Sequence, residues 1–116
     1  MEVDKKFEVK VDKKSEVAII HLSGEINTFS DEAINKIYNT IEFKGTPRLI
    51  VDFEGVSLIN SAGITTLVVI VMDMVEKKGT LKFAGLAPLY HRVIEIVGIT
   101  DYVELYNSVE EALGER

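Results

Sequence analysis

Cysteine is absent from the chain, and histidine occurs only twice, at His21 and His91. The first absence excludes disulfide frameworks, thiol nucleophiles and thiolate metal sites. Two histidines are too few for a histidine-rich metal centre. Positive charge is in deficit: 13 Lys and Arg face 19 Asp and Glu, a formal net charge of −6. Such a chain repels a phosphate backbone, so direct nucleic-acid binding is disfavoured. Long hydrophobic runs are missing too. The most apolar stretch, 64–75, is interrupted by Asp73 and falls short of the roughly 20 residues that cross a bilayer. The start, 1–14, alternates charges and lacks the apolar core of a signal peptide, which implies a cytoplasmic location away from membranes.

What is present is the balance of a soluble globular domain: 47% apolar and 28% charged residues, which argues against intrinsic disorder. The 116 residues suffice for one core and not two, so a single domain over 1–116 is expected. A chain of this length buries roughly two-thirds of its unfolded surface and needs no metal or cofactor to fold.

The order of elements follows from periodicity. Phe7, Val9 and Val11 alternate with charged residues, the period of a half-buried strand, and 12–16 is a polar turn. Val17–Leu22 is a nearly continuous apolar run rich in β-branched residues, a strand covered on both faces, with Gly24 as its end. Ile34, Ile37, Tyr38 and Ile41 form one helical stripe. Thr28 and Asp31 have the spacing of a capping box, and Ser30 competes as N-cap. Gly45 and Pro47 stop this helix, and Leu49–Phe53 is a second buried strand. After a connection at 54–60, the segment 61–78 reads as a helix with Gly79 as its left-handed cap. Residues 80–84 are a third buried strand, and Pro88 opens a helix that Gly98 closes. Tyr102–Tyr106 is a last strand, and Ser108 with Glu111 caps a final helix. The tail beyond Gly114 is short and charged.

The order β-β-α-β-α-β-α-β-α predicts an α/β domain with about four helices. Strand–helix–strand repetition implies parallel pairs, and only the first two strands are joined closely enough for a hairpin. The sheet is therefore expected to be mixed and mostly parallel, with one antiparallel edge strand. Its carboxyl-end rim is where partners are met in open α/β sheets, and this brings Thr28, Ser61 and Gly85 to one surface.

The densest loop is Gly55-Val56-Ser57-Leu58-Ile59-Asn60-Ser61-Ala62-Gly63-Ile64. Asn60 or Ser61 reads as a helix cap, and the small Ala62 and Gly63 keep the first turn open to close approach. A glycine there costs about 1 kcal/mol against alanine, which access to the hydroxyl of Ser61 would justify. Ser61 is not the nucleophile of a hydrolase, because the sequence is not Gly-x-Ser-x-Gly and neither histidine lies on the rim loops. As a phosphate acceptor it is well placed, since backbone N–H groups and the positive helix end tolerate the charge. No nucleotide-binding glycine loop is present, and Asp52 with Glu54 lacks the second acidic pair that a metal site of the receiver type would need.

The segment Val51-Asp52-Phe53-Glu54-Gly55-Val56-Ser57-Leu58-Ile59-Asn60-Ser61-Ala62-Gly63-Ile64 resembles the signature of the STAS domain family, the bacterial anti-sigma factor antagonists. Gly24-Glu25-Ile26-Asn27 resembles the family's G-E-L-D turn, and Phe83-Ala84-Gly85-Leu86-Ala87-Pro88 with Val93 and Ile96–Ile99 resembles its L-x-G-L-x-P segment. The resemblance spans nearly the whole chain. It implies a STAS-like fold and a non-enzymatic module without cofactors. Ser61 matches the serine that a partner kinase phosphorylates. That kinase is also the anti-sigma factor and binds the ATP. The unphosphorylated antagonist binds it and frees a sigma factor, and a serine phosphatase resets the switch. The implied partner-binding residues are Asn27, Thr28, Asn60, Ala62, Gly63 and Gly85, on a monomer or weak dimer. Asn60 and Asn27 stand where the family carries aspartate, which removes two negative charges while keeping hydrogen-bonding shape. STAS domains also serve as scaffold subunits of larger sensory or transport assemblies, the alternative reading.

Overall fold

A computed structural model of the chain describes residues 7–114. Its elements run β1 (Glu8–Lys14), β2 (Val17–Ile26), α1 (Thr28–Thr40), β3 (Arg48–Ile59), α2 (Ser61–Glu76), β4 (Thr80–Ala84), α3 (Pro88–Val97), β5 (Glu104–Tyr106) and α4 (Val109–Ala112). The expected order holds throughout. The charged tail expected beyond Gly114 and the charged start before Phe7 lie outside the described residues.

The strands form one sheet in the order β1-β2-β3-β4-β5. β1 pairs antiparallel with β2, and every later pair is parallel. Each crossover joins neighbouring strands, so a single handedness sends α1, α2 and α3 to the same face. There Ile34, Tyr38, Leu67, Ile70, Val71, Met74, Tyr90 and Ile94 pack on Ala18, Ile20, Leu22, Leu49, Val51, Phe53, Leu81 and Phe83. The alternate residues Val17, Ile19, Ile50 and Ala84 point to the other face, where α4 covers them through Ala112. This two-sided burial is why the middle strands read as unbroken apolar runs.

Six boundaries differ from expectation. Residues 12–14 continue β1, so the polar turn expected over 12–16 shrinks to 15–16. α1 ends at Thr40, before the expected stop at Gly45 and Pro47, with Ile41 already extended as its C-cap. Gly24 does not end β2; it lies inside the strand at φ 90°. The stretch 54–59 is strand rather than connection, since Gly24, Glu25 and Ile26 pair with Val56, Leu58 and Ile59. β3 carries one extra residue opposite His21/Ser23 and another opposite Gly24/Glu25, two bulges that break the alternation. β3 runs on past its last pairing with β4 at Asp52, and its exposed Glu54, Gly55 and Ser57 break the apolar run. Gly79 is not the left-handed cap; Lys78 is, at φ 58°. Gly79 serves packing instead, because a Cβ there would lie 2.8 Å from the Pro47 carbonyl oxygen. The last strand begins at Glu104, two residues later than its apolar pattern indicates.

Candidate functional site

β2 and β3 end side by side, with Ile26 opposite Ile59. Each is followed by an asparagine that caps a helix. The Asn27 side chain accepts hydrogen bonds from the N–H groups of Phe29 (2.9 Å) and Ser30 (3.2 Å), and Ser30 Oγ accepts the Asn27 N–H at 2.8 Å. The capping box thus joins Asn27 with Ser30, displacing the expected Thr28–Asp31 pair. Asn60 Oδ1 accepts the Gly63 N–H at 2.9 Å, and the Asn60 N–H donates to the Ile26 carbonyl at 3.2 Å. Thr28 and Ser61 therefore occupy the same place, first after the cap, on neighbouring helices. Both are exposed.

Gly63 is buried, and an added Cβ would lie 2.3 Å from the Ile26 carbonyl oxygen. Its reason for being glycine is this close helix-to-strand approach, rather than an open first turn. It sets where Ser61 stands without presenting a surface of its own. Ala62 is half-buried beside it. Tyr90 of α3 completes the frame: its buried hydroxyl accepts the Ile59 N–H at 3.0 Å.

Asn27, Thr28, Asn60, Ser61, Ala62 and Gly63 are thus gathered at one tip. Gly85 lies lower. It turns at φ 74°, its N–H donates to the Tyr106 carbonyl at 3.0 Å, and a Cβ there would lie 3.2 Å from the Glu54 nitrogen. The chain climbs from Gly85 to the tip through Leu86–Tyr90.

Two side-chain links tie α1 to α2. Thr66 Oγ1 donates to Asp31 Oδ1. The Tyr38 hydroxyl donates to Asp73 Oδ2 at 2.5 Å, and Lys77 Nζ lies 2.9 Å from the same oxygen. Burial, then the bond to Asp73, pushes the Tyr38 hydroxyl well above the usual tyrosine range. The Tyr38 hydrogen bond, then Lys77, holds the Asp73 carboxyl below its ordinary value.

On the opposite face, His21 Nδ1 donates to Asp52 Oδ2 at 2.7 Å, and Asp52 Oδ1 accepts the Glu54 N–H at 3.0 Å. Periodicity alone did not reveal this pairing; it follows from the His21–Asp52 register in a parallel pair. The imidazole is on the α4 side of the sheet, away from Ser61. Among the described residues no group of three or more His, Asp or Glu side chains is arranged to hold a metal ion. What the tip offers chemically is an exposed hydroxyl at a helix start whose capping residue is neutral. The sequence reading also missed Phe29, 92% exposed in the first turn of α1. Its only sequence signal is an aromatic residue placed ahead of the helix's apolar stripe.

The tip, the mixed five-stranded sheet, the α1–α3 layer on one face and α4 on the other define a small α/β module with an exposed serine at its tip. The sequence model of the STAS domain matches residues 8–112, and the chain belongs to that family. Its fold is shared with an anti-sigma factor antagonist from Mycobacterium paratuberculosis, at 20% identity, with 98% of this chain and 97% of that one covered and a TM-score of 0.76. The phosphorylated form of the Bacillus cell fate determinant SpoIIAA is similar at 20% identity, 92% and 97% coverage and a TM-score of 0.73. The murine anion transporter Slc26a9 contains the same fold at 16% identity, with 88% of this chain but 18% of that one covered and a TM-score of 0.72. Among the described residues no helix is long and apolar enough to cross a membrane.

Proposed function

We propose that this chain is an anti-sigma factor antagonist whose partner binding is switched by phosphorylation of Ser61. The observation that carries this reading is the exposed Ser61 at the first position of α2, in a STAS domain whose fold is shared with such an antagonist. The helix start stabilises an added phosphate through its free N–H groups and positive end. Phosphorylation adds about −1.5 to −2 charge near neutral pH, enough to disrupt a docked surface by repulsion and desolvation.

In this reading the chain is a binding module and not an enzyme. The partner is a serine kinase that doubles as the anti-sigma factor and binds the ATP. Unphosphorylated chain binds that kinase in the cytoplasm and frees a sigma factor, and a serine phosphatase restores the free serine. Asn27, Thr28, Asn60 and Ala62 contact the kinase, Gly63 acts by setting the helix position, and Gly85 belongs to the lower border of the surface. The chain acts as a monomer or weak dimer. Asn60 supplies the cap through its side-chain oxygen, so a carboxylate is not needed to form the helix start.

Incubation with an anti-sigma factor serine kinase and Mg·ATP, read by intact mass and peptide mapping, tests this. One phosphate on Ser61 is expected, none on Ser61→Ala, and weaker kinase binding by Ser61→Asp. Full modification of Ser61→Ala would overturn the assignment. Size-exclusion chromatography with light scattering distinguishes the small antagonist from a subunit of a large assembly.

A further inference from the structure

The exposed large apolar side chains include three at the end that carries Ser61. Phe29 is 92% exposed, the highest such value among the described residues. Leu89, in the first turn of α3, and Leu58, beside the end of β3, are 65% and 48% exposed. The backbone at Phe29 is held. Its N–H is fixed by Asn27 Oδ1, and the Asn27–Ser30 box locks the turn around it. The ring therefore projects from a fixed point, and docking it costs side-chain rotamer freedom but no backbone ordering.

The segment that carries this ring is acidic. Residues 23–31 contain Glu25 and Asp31 and no Lys or Arg. An acidic rim repels a second copy of itself and an anionic lipid surface. It complements a basic protein surface.

We propose that Phe29 is the anchor of the partner interface, entering an apolar socket flanked by Lys or Arg side chains on the kinase that modifies Ser61. This rests on the reading of Ser61 given above.

The test uses the full chain and the purified anti-sigma factor kinase with Mg·ATP, comparing wild type, Phe29→Ala, Phe29→Trp and Val69→Ala. Val69 is an exposed apolar control on the outer face of α2. Phe29→Ala is expected to bind at least about tenfold more weakly and to raise KM for Ser61 phosphorylation, with kcat and Tm unchanged. Phe29→Trp retains binding, and Val69→Ala matches wild type. Binding of the wild type weakens with added salt, and Glu25→Lys weakens it further. If Ser61 is phosphorylated and Phe29→Ala binds as wild type does, the anchor is overturned while the function stands. Salt-independent binding overturns the basic socket. A wild-type chain that neither binds the kinase nor accepts phosphate overturns both.

Discussion

The α-carbon of Gly63 lies so close to the carbonyl of Ile26 that a Cβ would stand 2.3 Å from the oxygen. The neighbouring atoms are backbone, so the strain cannot be relieved by a side-chain rotation. Gly63→Ala is therefore expected to lower stability by about 1–3 kcal/mol, overriding the roughly 1 kcal/mol that alanine gains in a helix. Urea unfolding measures the loss. Because the helix start must shift, phosphorylation of Ser61 should slow as well.

Asn60 separates capping from charge. Asn60→Ala removes the acceptor of the Gly63 N–H and should cost about 1 kcal/mol. Asn60→Asp keeps the oxygen and adds a negative charge at a helix N-terminus, worth about 0.3–1 kcal/mol in favour of folding. Thermal melts at neutral pH should rank the three chains Asp, Asn, Ala, from most to least stable.

The Tyr38–Asp73 bond makes stability pH-dependent at both extremes. Asp73 titrates lower in the folded chain than in the unfolded one, so its contribution is present above the unfolded value of 3.8 and is lost as pH falls through the folded value. Tyr38 titrates higher when folded, so its contribution is whole below 10.0 and fades as pH rises above it. Tyr38→Phe should be less stable by about 1 kcal/mol near neutral pH. The gap between the two proteins should narrow in acid and in alkali, which denaturant titrations across pH will read.

Tyr90 supplies the side-chain acceptor for the N–H of Ile59, and both residues are buried. Tyr90→Phe leaves that donor without a partner and should cost about 1–3 kcal/mol. Hydrogen exchange should show the Ile59 amide losing protection selectively, with the amides of β4 far less affected.

Much of the frame was legible along the chain. The stripe Ile34, Ile37 and Tyr38, the strand 80–84, Pro88 at a first helical turn and Gly98 as the end of that helix all match the fold. These signals are local, set by backbone conformation and by which face is apolar. The ribbon made by the ends of β2 and β3 was not legible. Two bulges interrupt its alternation, and much of its surface faces water. The Asn27 cap was hidden as well, because Thr28 and Ser30 satisfy the same local pattern and only the turn geometry selects among them.

Sequence by itself determined the element order, the single antiparallel strand and the presence of a serine at a helix start, since periodicity and turn residues act over a few positions. Tertiary structure alone decided that Thr28 and Ser61 stand as twins on adjacent helices and that Phe29 faces water beside them. It also decided that His21 pairs with Asp52 on the far side of the sheet. Those relations depend on strand register and close packing between segments distant along the chain, which no local pattern encodes.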